Sequence, residues 1–248
     1  MFVALILEMY MNFKFLLHPK FAMDALSKIK SFRNNTVKVH KPKAKIKKQS
    51  YEGLKDLQPS IKPGLDLIFI GFNPGIESSR SQHHYAHHTN AFWKLFNEAK
   101  ILEKSLSHQG QGIDPNDKLL KSLLKQCKAE NDLQLVKYNI GFSDLVLRCT
   151  RAASELSMAE KLQNVPRLLQ EFREAKPKKV AIIGKGIWEV FIKYLQDKSP
   201  IEYGLQPKSI VERLIDIDID IYVFPSTSGL VTSMNYQQKL ALWHGLYD

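Results

Sequence analysis

The sequence predicts a three-layer α/β/α sandwich with a mostly parallel central sheet. Short apolar, β-branched runs at 65–72, 178–184 and 217–225 read as buried strands, since a strand covered on both faces shows a near-continuous apolar run. Between them lie segments whose apolar residues recur three and four apart, as on an amphipathic helix. The links are short, so strand and helix alternate along the chain, which is the pattern of a parallel sheet covered by helices.

Taken in order, LDLIFIGF (65–72) is a strand that runs into the turn Asn73-Pro74-Gly75. Thr89 or Asn90 is placed to cap a helix through NAFWKLFNEAKIL, with Phe92, Leu95, Phe96 and Ala99 on one face. A second helix is expected over 114–127, capped by Asp114 with Pro115 at its first position. YNIGFSDLVL (138–147) is strand-like, and Ser157 opens a helix that reaches about Ala175. KKVAIIG (178–184) is another buried strand, followed by a helix over 186–196 in which Gly184-Lys185-Gly186 is a helix-start turn and not a phosphate loop. IDIDIYVFP (217–225) alternates, then turns apolar, which would place Asp216, Asp218 and Asp220 on one solvated strand face. It ends at the loop Pro225 to Gly229, before a last helix over 236–246. Trp93, Trp188 and Trp243 fall on helix faces and are expected in the core. No internal repeat is present.

Charge is distributed unevenly. The chain has 36 Lys and Arg against 25 Asp and Glu, a formal balance of +11. Residues 1–62 hold 13 basic residues against 4 acidic ones, whereas 63–248 hold 23 against 21. Six lysines and no acid lie between Thr36 and Gln49. Residues 1–60 are therefore expected to be a basic, flexible arm suited to phosphates and to nuclear import, and 61–248 a near-neutral globular domain. Between 11 and 35, five basic residues accompany the single acid Asp24, a pattern that also fits a mitochondrial presequence; Met11 or Met23 could be the start. The apolar opening stretch is interrupted by Glu8, Asn12 and Lys14, so no membrane span is expected. Cys127 and Cys149 suffice for neither a disulfide framework nor a zinc or iron–sulfur site.

Ligands of parallel α/β sheets bind beyond the carboxyl ends of the strands. Two loops hold such positions, Gly71 to Gly75 and Pro225 to Val231. Asn73 follows a strand directly, with Pro74 fixing φ and Gly75 free to take positive φ. Its amide offers a donor and an acceptor but no charge, so it is not a strong general base. HHYAHHTNAFW (83–93) contains four histidines as two adjacent pairs, without a nearby acidic ligand or a helical frame. No metal is expected there; the rings suit stacking and phosphate or base contact.

The blocks LIFIGFNPG, HHYAHHTNAFWK, IGFSDLVLRCT, VAIIGKGIWEVF, GLQP (204–207) and VFPSTSGL occur in an order that resembles the mismatch-specific uracil/thymine DNA glycosylases, from about Leu65 to the C-terminus. His83-His84-Tyr85, GLQP and the basic arm favour the eukaryotic thymine-DNA glycosylase branch. The resemblance implies a uracil-DNA-glycosylase-like fold for 61–248 and a monofunctional glycosylase acting on uracil or thymine opposite guanine in double-stranded DNA. By it, Asn73 positions the attacking water; Phe72, Pro74, Gly75, His84, Tyr85 and Cys149 form the base pocket, with Tyr85 stacking on the flipped pyrimidine. Ser226 and Ser228 grip phosphates, Leu230 wedges into the duplex, and Gly229 and Val231 face the widowed guanine. No metal or organic cofactor is implied, and the enzyme would be a monomer that passes abasic sites to downstream repair enzymes in the nucleus, or alternatively the mitochondrion. A glycosylase of broader tolerance, acting also on single strands, and a silent mismatch-binding protein are the rival readings; the retained Asn73 and Tyr85 argue against the last. Three departures stand out: Cys149-Thr150-Arg151-Ala152 replaces a Thr-Thr-Pro-Gly run, His87-His88-Thr89 replaces a Gly-Pro-Gly-like turn, and Phe72 replaces a smaller aliphatic residue.

Overall fold

The computed structural model describes residues 53–110, 112, 114, 116–229, 231 and 234–247. The lysine-rich segment 36–49, Pro115 and Leu230 lie outside the described residues. The five strands are β1 (Leu67–Gly71), β2 (Ile140–Asp144), β3 (Lys179–Ile183), β4 (Gly204–Leu205) and β5 (Asp220–Phe224), in the order β2-β1-β3-β5-β4. All neighbours pair in parallel except β4, which runs antiparallel along β5. The mostly parallel α/β sandwich expected from the sequence is thus what forms.

Alternation within each strand sorts the side chains into two cores. Ile68, Ile70, Val180, Ile182, Ile221 and Val223 face one way, beneath α6 (Met158–Ala175), α7 (Lys185–Tyr194) and α8 (Lys208–Leu214). Leu67, Phe69, Ile140, Phe142, Ala181, Ile183 and Phe224 face the other way. There they meet α2 (Phe92–Glu98), α3 (Ile101–His108), α4 (Lys118–Lys125) and α9 (Tyr236–His244). The two short helices α1 (Ile76–Ser81) and α5 (Asp132–Leu135) complete the set among the described residues. All three tryptophans are buried, as expected, Trp188 in the first core and Trp93 and Trp243 in the second. Leu57 and Ser60 also pack on this unit: the Leu57 N–H donates to the Leu147 carbonyl, and Ser60 pairs with Phe142 at the β2 edge.

Helix α6 is capped by Ser157, whose side chain accepts the Glu160 N–H, and it ends at Ala175 as the sequence indicates. Elsewhere the boundaries differ. The helix expected from 89 or 90 onward is two helices, α2 and α3, because Lys100 takes a left-handed turn (φ 55°) that lets both halves bury their apolar faces. The Asn90 side chain accepts the Phe92 N–H at 3.0 Å, whereas Thr89 contacts His87 instead. Helix α4 begins only at Lys118 and is capped by Asp117; Asp114 accepts the Asn116 N–H in a turn that precedes it. Of the three aspartates, only Asp220 lies in a strand. Asp216 binds Arg173 at 2.9 Å, and Asp218 and Asp220 share Lys208 at 2.7 and 3.1 Å.

Phe69 sits at the centre of the second core, with its ring 5.0 Å from Phe92, 5.6 Å from Trp243 and 5.7 Å from Phe142. Phe69→Ala is expected to cost about 3–5 kcal/mol, the usual range for a buried aromatic, read from the denaturant midpoint. A loss below about 1 kcal/mol would mean that the ring is not the hub of this layer.

Candidate active site

β1 delivers the chain to its carboxyl edge at Gly71, and Phe72 to Gly75 turn from there into α1. Segment 145–150 runs alongside this turn. The Leu145 N–H donates to Gly71, Val146 to Phe72 and Thr150 to Pro74, at 2.9, 3.0 and 3.1 Å. Gly75 is extended (φ −76°, ψ 174°), so the positive φ expected of it is not used; the turn is made by the pairing with 145–150.

That pairing also orients Asn73. Its Nδ2 donates to the Arg148 carbonyl at 3.1 Å and to Thr150 Oγ1 at 2.8 Å, with a longer contact to Pro74 O at 3.2 Å. The Thr150 hydroxyl spends its own proton on the Ala152 carbonyl at 2.9 Å, so its oxygen is left to accept. Both main partners therefore demand a donor, which assigns the amide: nitrogen inward, Oδ1 free of protein donors among the described residues. Such an oxygen can take a hydrogen from a water and direct that water's lone pair. Thr150 is buried. In the sequence it carries no sign of this role, because it lies in the run Cys149-Thr150-Arg151-Ala152 that departs from the family pattern.

His84 and Tyr85 lie on the second-core side. Asp132 at the start of α5, fully buried, accepts from His83 Nδ1 and His84 Nδ1 at 2.9 Å and from the His84 N–H at 2.8 Å. Burial pushes its carboxyl up, but the His84 and His83 hydrogen bonds outweigh that and hold it below the ordinary value. Since a carboxylate only accepts, both Nδ1 atoms carry protons, and His84 Nε2 is left buried without a partner. Tyr85 has a strained positive φ of 56°, and its ring lies on Phe92 at 3.8 Å and 3°. One ring face is thus occupied, so a base could stack only on the other. Its hydroxyl is buried without a partner. Burial, with Asp144 nearby, raises its pKa well above the ordinary value.

The four histidines divide. His83 and His84 converge on Asp132, whereas His87 and His88 stack on each other at 4.5 Å. No group of three or more His, Cys, Asp or Glu side chains among the described residues is arranged to hold a metal. A cavity of about 570 Å³ beside Tyr85 is lined by His87, His88, Trp93, Lys125 and Lys128, but not by Asn73.

The second loop is moored on two sides. The Ala91 N–H donates to the Thr227 carbonyl at 2.9 Å, and Gly229 approaches Thr89 so closely that a Cβ would lie 2.8 Å from its hydroxyl oxygen. From α9, the buried Lys239 ammonium donates to the Ser226 carbonyl at 2.8 Å and, at 3.4 Å, to that of Val231. Burial lowers its pKa. Ser226 Oγ accepts the Ser228 N–H at 3.3 Å, and Val231 is exposed. Lys239 carries no sequence signal, because a lysine at a helix start reads as solvated.

The fold brings the Asn73 turn, His84 and Tyr85, and residues 225–229 to one edge of the sheet. Phe72 and Cys149 have other neighbours. The Phe72 ring packs with the first core, 4.9 Å beneath Lys161 Nζ and 3.5 Å from the space over Gly186. The Cys149 thiol lies beside the Ser79 hydroxyl of α1, and burial raises its pKa.

The sequence pattern described as "Uracil DNA glycosylase superfamily" matches residues 58–246. A G/U mismatch-specific uracil DNA glycosylase of Schizosaccharomyces pombe is 26% identical over 240 residues, which cover 91% of this chain. The chain spans 66% of the length of that relative.

Asp132→Asn replaces one of the two carboxylate oxygens that four donors share, His83 Nδ1, His84 Nδ1 and the His84 and Leu133 N–H groups. It is expected to lower stability by at least about 1.5–3 kcal/mol at pH 7, and a loss under about 0.5 kcal/mol would show that the histidines are held otherwise. Because the folded-state pKa is depressed, this contribution is complete above the unfolded value, about 3.9, and fades as pH falls through the lower folded one. The difference between wild type and variant should therefore shrink in acid.

Proposed function

Because the chain belongs to the uracil DNA glycosylase superfamily, we propose that it hydrolyses the N-glycosidic bond of uracil or thymine mispaired with guanine in double-stranded DNA, starting base excision repair. The observation that carries this reading is the Asn73 amide, oriented by Arg148 and Thr150 with its oxygen unengaged. In this reading, Oδ1 holds a water against C1′ of a nucleotide rotated out of the duplex. The C1′–N bond breaks with its electron pair going to the base, through an oxocarbenium-like state, and the water oxygen bonds C1′ while its proton passes to solvent. The products are the free base and an abasic site. An uncharged amide cannot take the proton, so the rate depends on how well the base leaves.

Tyr85 stacks its open face on the base, worth about 1–3 kcal/mol. Ser226 and Ser228 meet phosphates, backbone groups of Gly229 and Val231 meet the widowed guanine, and Leu230 fills the vacated stack as an apolar wedge. The lysines of 36–49 add sequence-independent phosphate contacts. The protein acts as a monomer in the nucleus and hands abasic sites to repair enzymes. The G/U specificity in the name of the fission-yeast relative supports the choice of substrate.

Single-turnover assays on G·U, G·T, A·U and single-stranded uracil substrates test the assignment; comparable rates on all four would favour the broader glycosylase. Asn73→Ala should still bind mismatched duplex yet lose about 10²–10³-fold in base release; near wild-type rates would remove Asn73 from the chemistry. Deleting 1–49 should weaken DNA binding and flatten its salt dependence while preserving preference for the mismatch. Loss of preference at an unchanged salt slope would assign the arm a reading role.

A further inference from the structure

Helix α9 closes its own start. The Asn235 side chain accepts the Gln238 N–H at 2.9 Å, and the Gln238 side chain accepts the Asn235 N–H at 3.1 Å, so both ends of this cap are satisfied without Lys239. Lys239, the fourth residue of the helix, then stands against two rules at once. A cation near a helix start opposes the helix dipole, and a charge taken out of water is costly unless an opposite charge lies beside it. Lys239 is 6% exposed, and no carboxylate forms an ion pair with it among the described residues.

Both acceptors of its ammonium belong to the loop after β5. They are the carbonyls of Ser226 at 2.8 Å and Val231 at 3.4 Å, which flank Gly229, so one cation ties the two limbs of the loop together. The intervening Thr227 carbonyl is taken from the other side, by the Ala91 N–H at the start of α2. With these carbonyls turned inward, the Val231 side chain is exposed, and the Ser228 N–H closes on Ser226 Oγ at 3.3 Å. Segment 225–229 has no strand or helix pairing of its own, and a connection of that kind keeps one shape only where something ties it down. A hydrogen bond from a cation is about twice as strong as a neutral one, and burial leaves it weakly screened.

We propose that Lys239 is a positioning residue of the glycosylase: its ammonium holds the loop after β5 in the shape that grips DNA beside the extruded nucleotide, without itself touching the substrate. This rests on the glycosylase reading and adds to it the group that sets the loop. A loop left untied would have to be ordered anew in each complex, at a cost in conformational entropy. Fewer bound duplexes would then hold the nucleotide out of the stack, and base release would slow although Asn73 is unchanged.

The test compares the full chain with Lys239→Met, which keeps an unbranched apolar stem and removes the charge and its donors. Amide hydrogen exchange is measured on the free proteins, and single-turnover uracil release from a G·U duplex is measured at enzyme concentrations that saturate the DNA. At saturation the rate constant belongs to the bound complex and not to the amount of folded protein. In Lys239→Met the amides of 226–229 should exchange about tenfold faster or more, and the release constant should fall by about tenfold or more, the effect of losing a hydrogen bond to a charged group. The amides of α9 should keep their wild-type rates, because the Asn235 cap remains. A folded variant with wild-type exchange in 226–229, or with a wild-type release constant, overturns the proposal. So does faster exchange spread equally over α9, which would make Lys239 a pin of the helix. If Lys239→Met does not fold, Lys239→Gln, uncharged and shorter in reach, takes its place under the same criteria. A wild type that releases neither uracil nor thymine overturns the glycosylase reading, and the exchange comparison still decides whether Lys239 holds the loop.

Discussion

β1 is the constraint on which the rest of the molecule depends. It is hydrogen-bonded to β2 on one edge and to β3 on the other, and its five residues are buried on both faces. A strand so enclosed tolerates neither a polar side chain nor a slip in register, since a shift by one residue would exchange the two cores. The parallel pairing then brings the ends of β1, β2, β3 and β5 to one edge, and the loops that follow them have nowhere else to converge. The Asn73 turn inherits its position from this register. Segment 145–150 continues beside the turn only because β2 already lies in step with β1.

The two ends of the sheet treat buried carboxyls in opposite ways. Asp66, just before β1, receives hydrogen bonds from Ser105, His108 and Tyr247 at 2.8, 2.7 and 2.7 Å, a fully served group that locks α3 and the C-terminal segment to the sheet. Asp144, at the other end, receives none among the described residues. The imbalance agrees with the general placement of ligands beyond the carboxyl ends of parallel strands.

The site is also built from a division of labour between backbone and side chains. Asn73 is oriented by one carbonyl and one hydroxyl, His84 by a carboxylate three helices further along the chain, and the loop after β5 by the Lys239 ammonium and the segment around Thr89. None of these supports touches the others in sequence. Each holds a chemically plain group in one orientation, which suits a reaction in which placement of water and base matters more than proton transfer.

Local pattern was enough to identify the sandwich, the buried strands, the Ser157 cap of α6 and the two loops at the sheet edge. These follow from apolar runs, capping side chains and turn residues, which act over a few positions. Helix boundaries near Lys100 and Lys118 were not legible, because a left-handed turn and a choice between two capping aspartates are decided by which faces can be buried together. The sequence by itself determined that Asn73 follows a buried strand and that histidines and Tyr85 come shortly after. Only the tertiary structure decided that Thr150 and Arg148 turn its amide, that Asp132 collects two histidines, that Phe72 faces the other core, and that Asp144 and Lys239 stand at the site. Those contacts join residues separated by tens of positions, and their geometry comes from strand register and helix packing, which no local periodicity encodes.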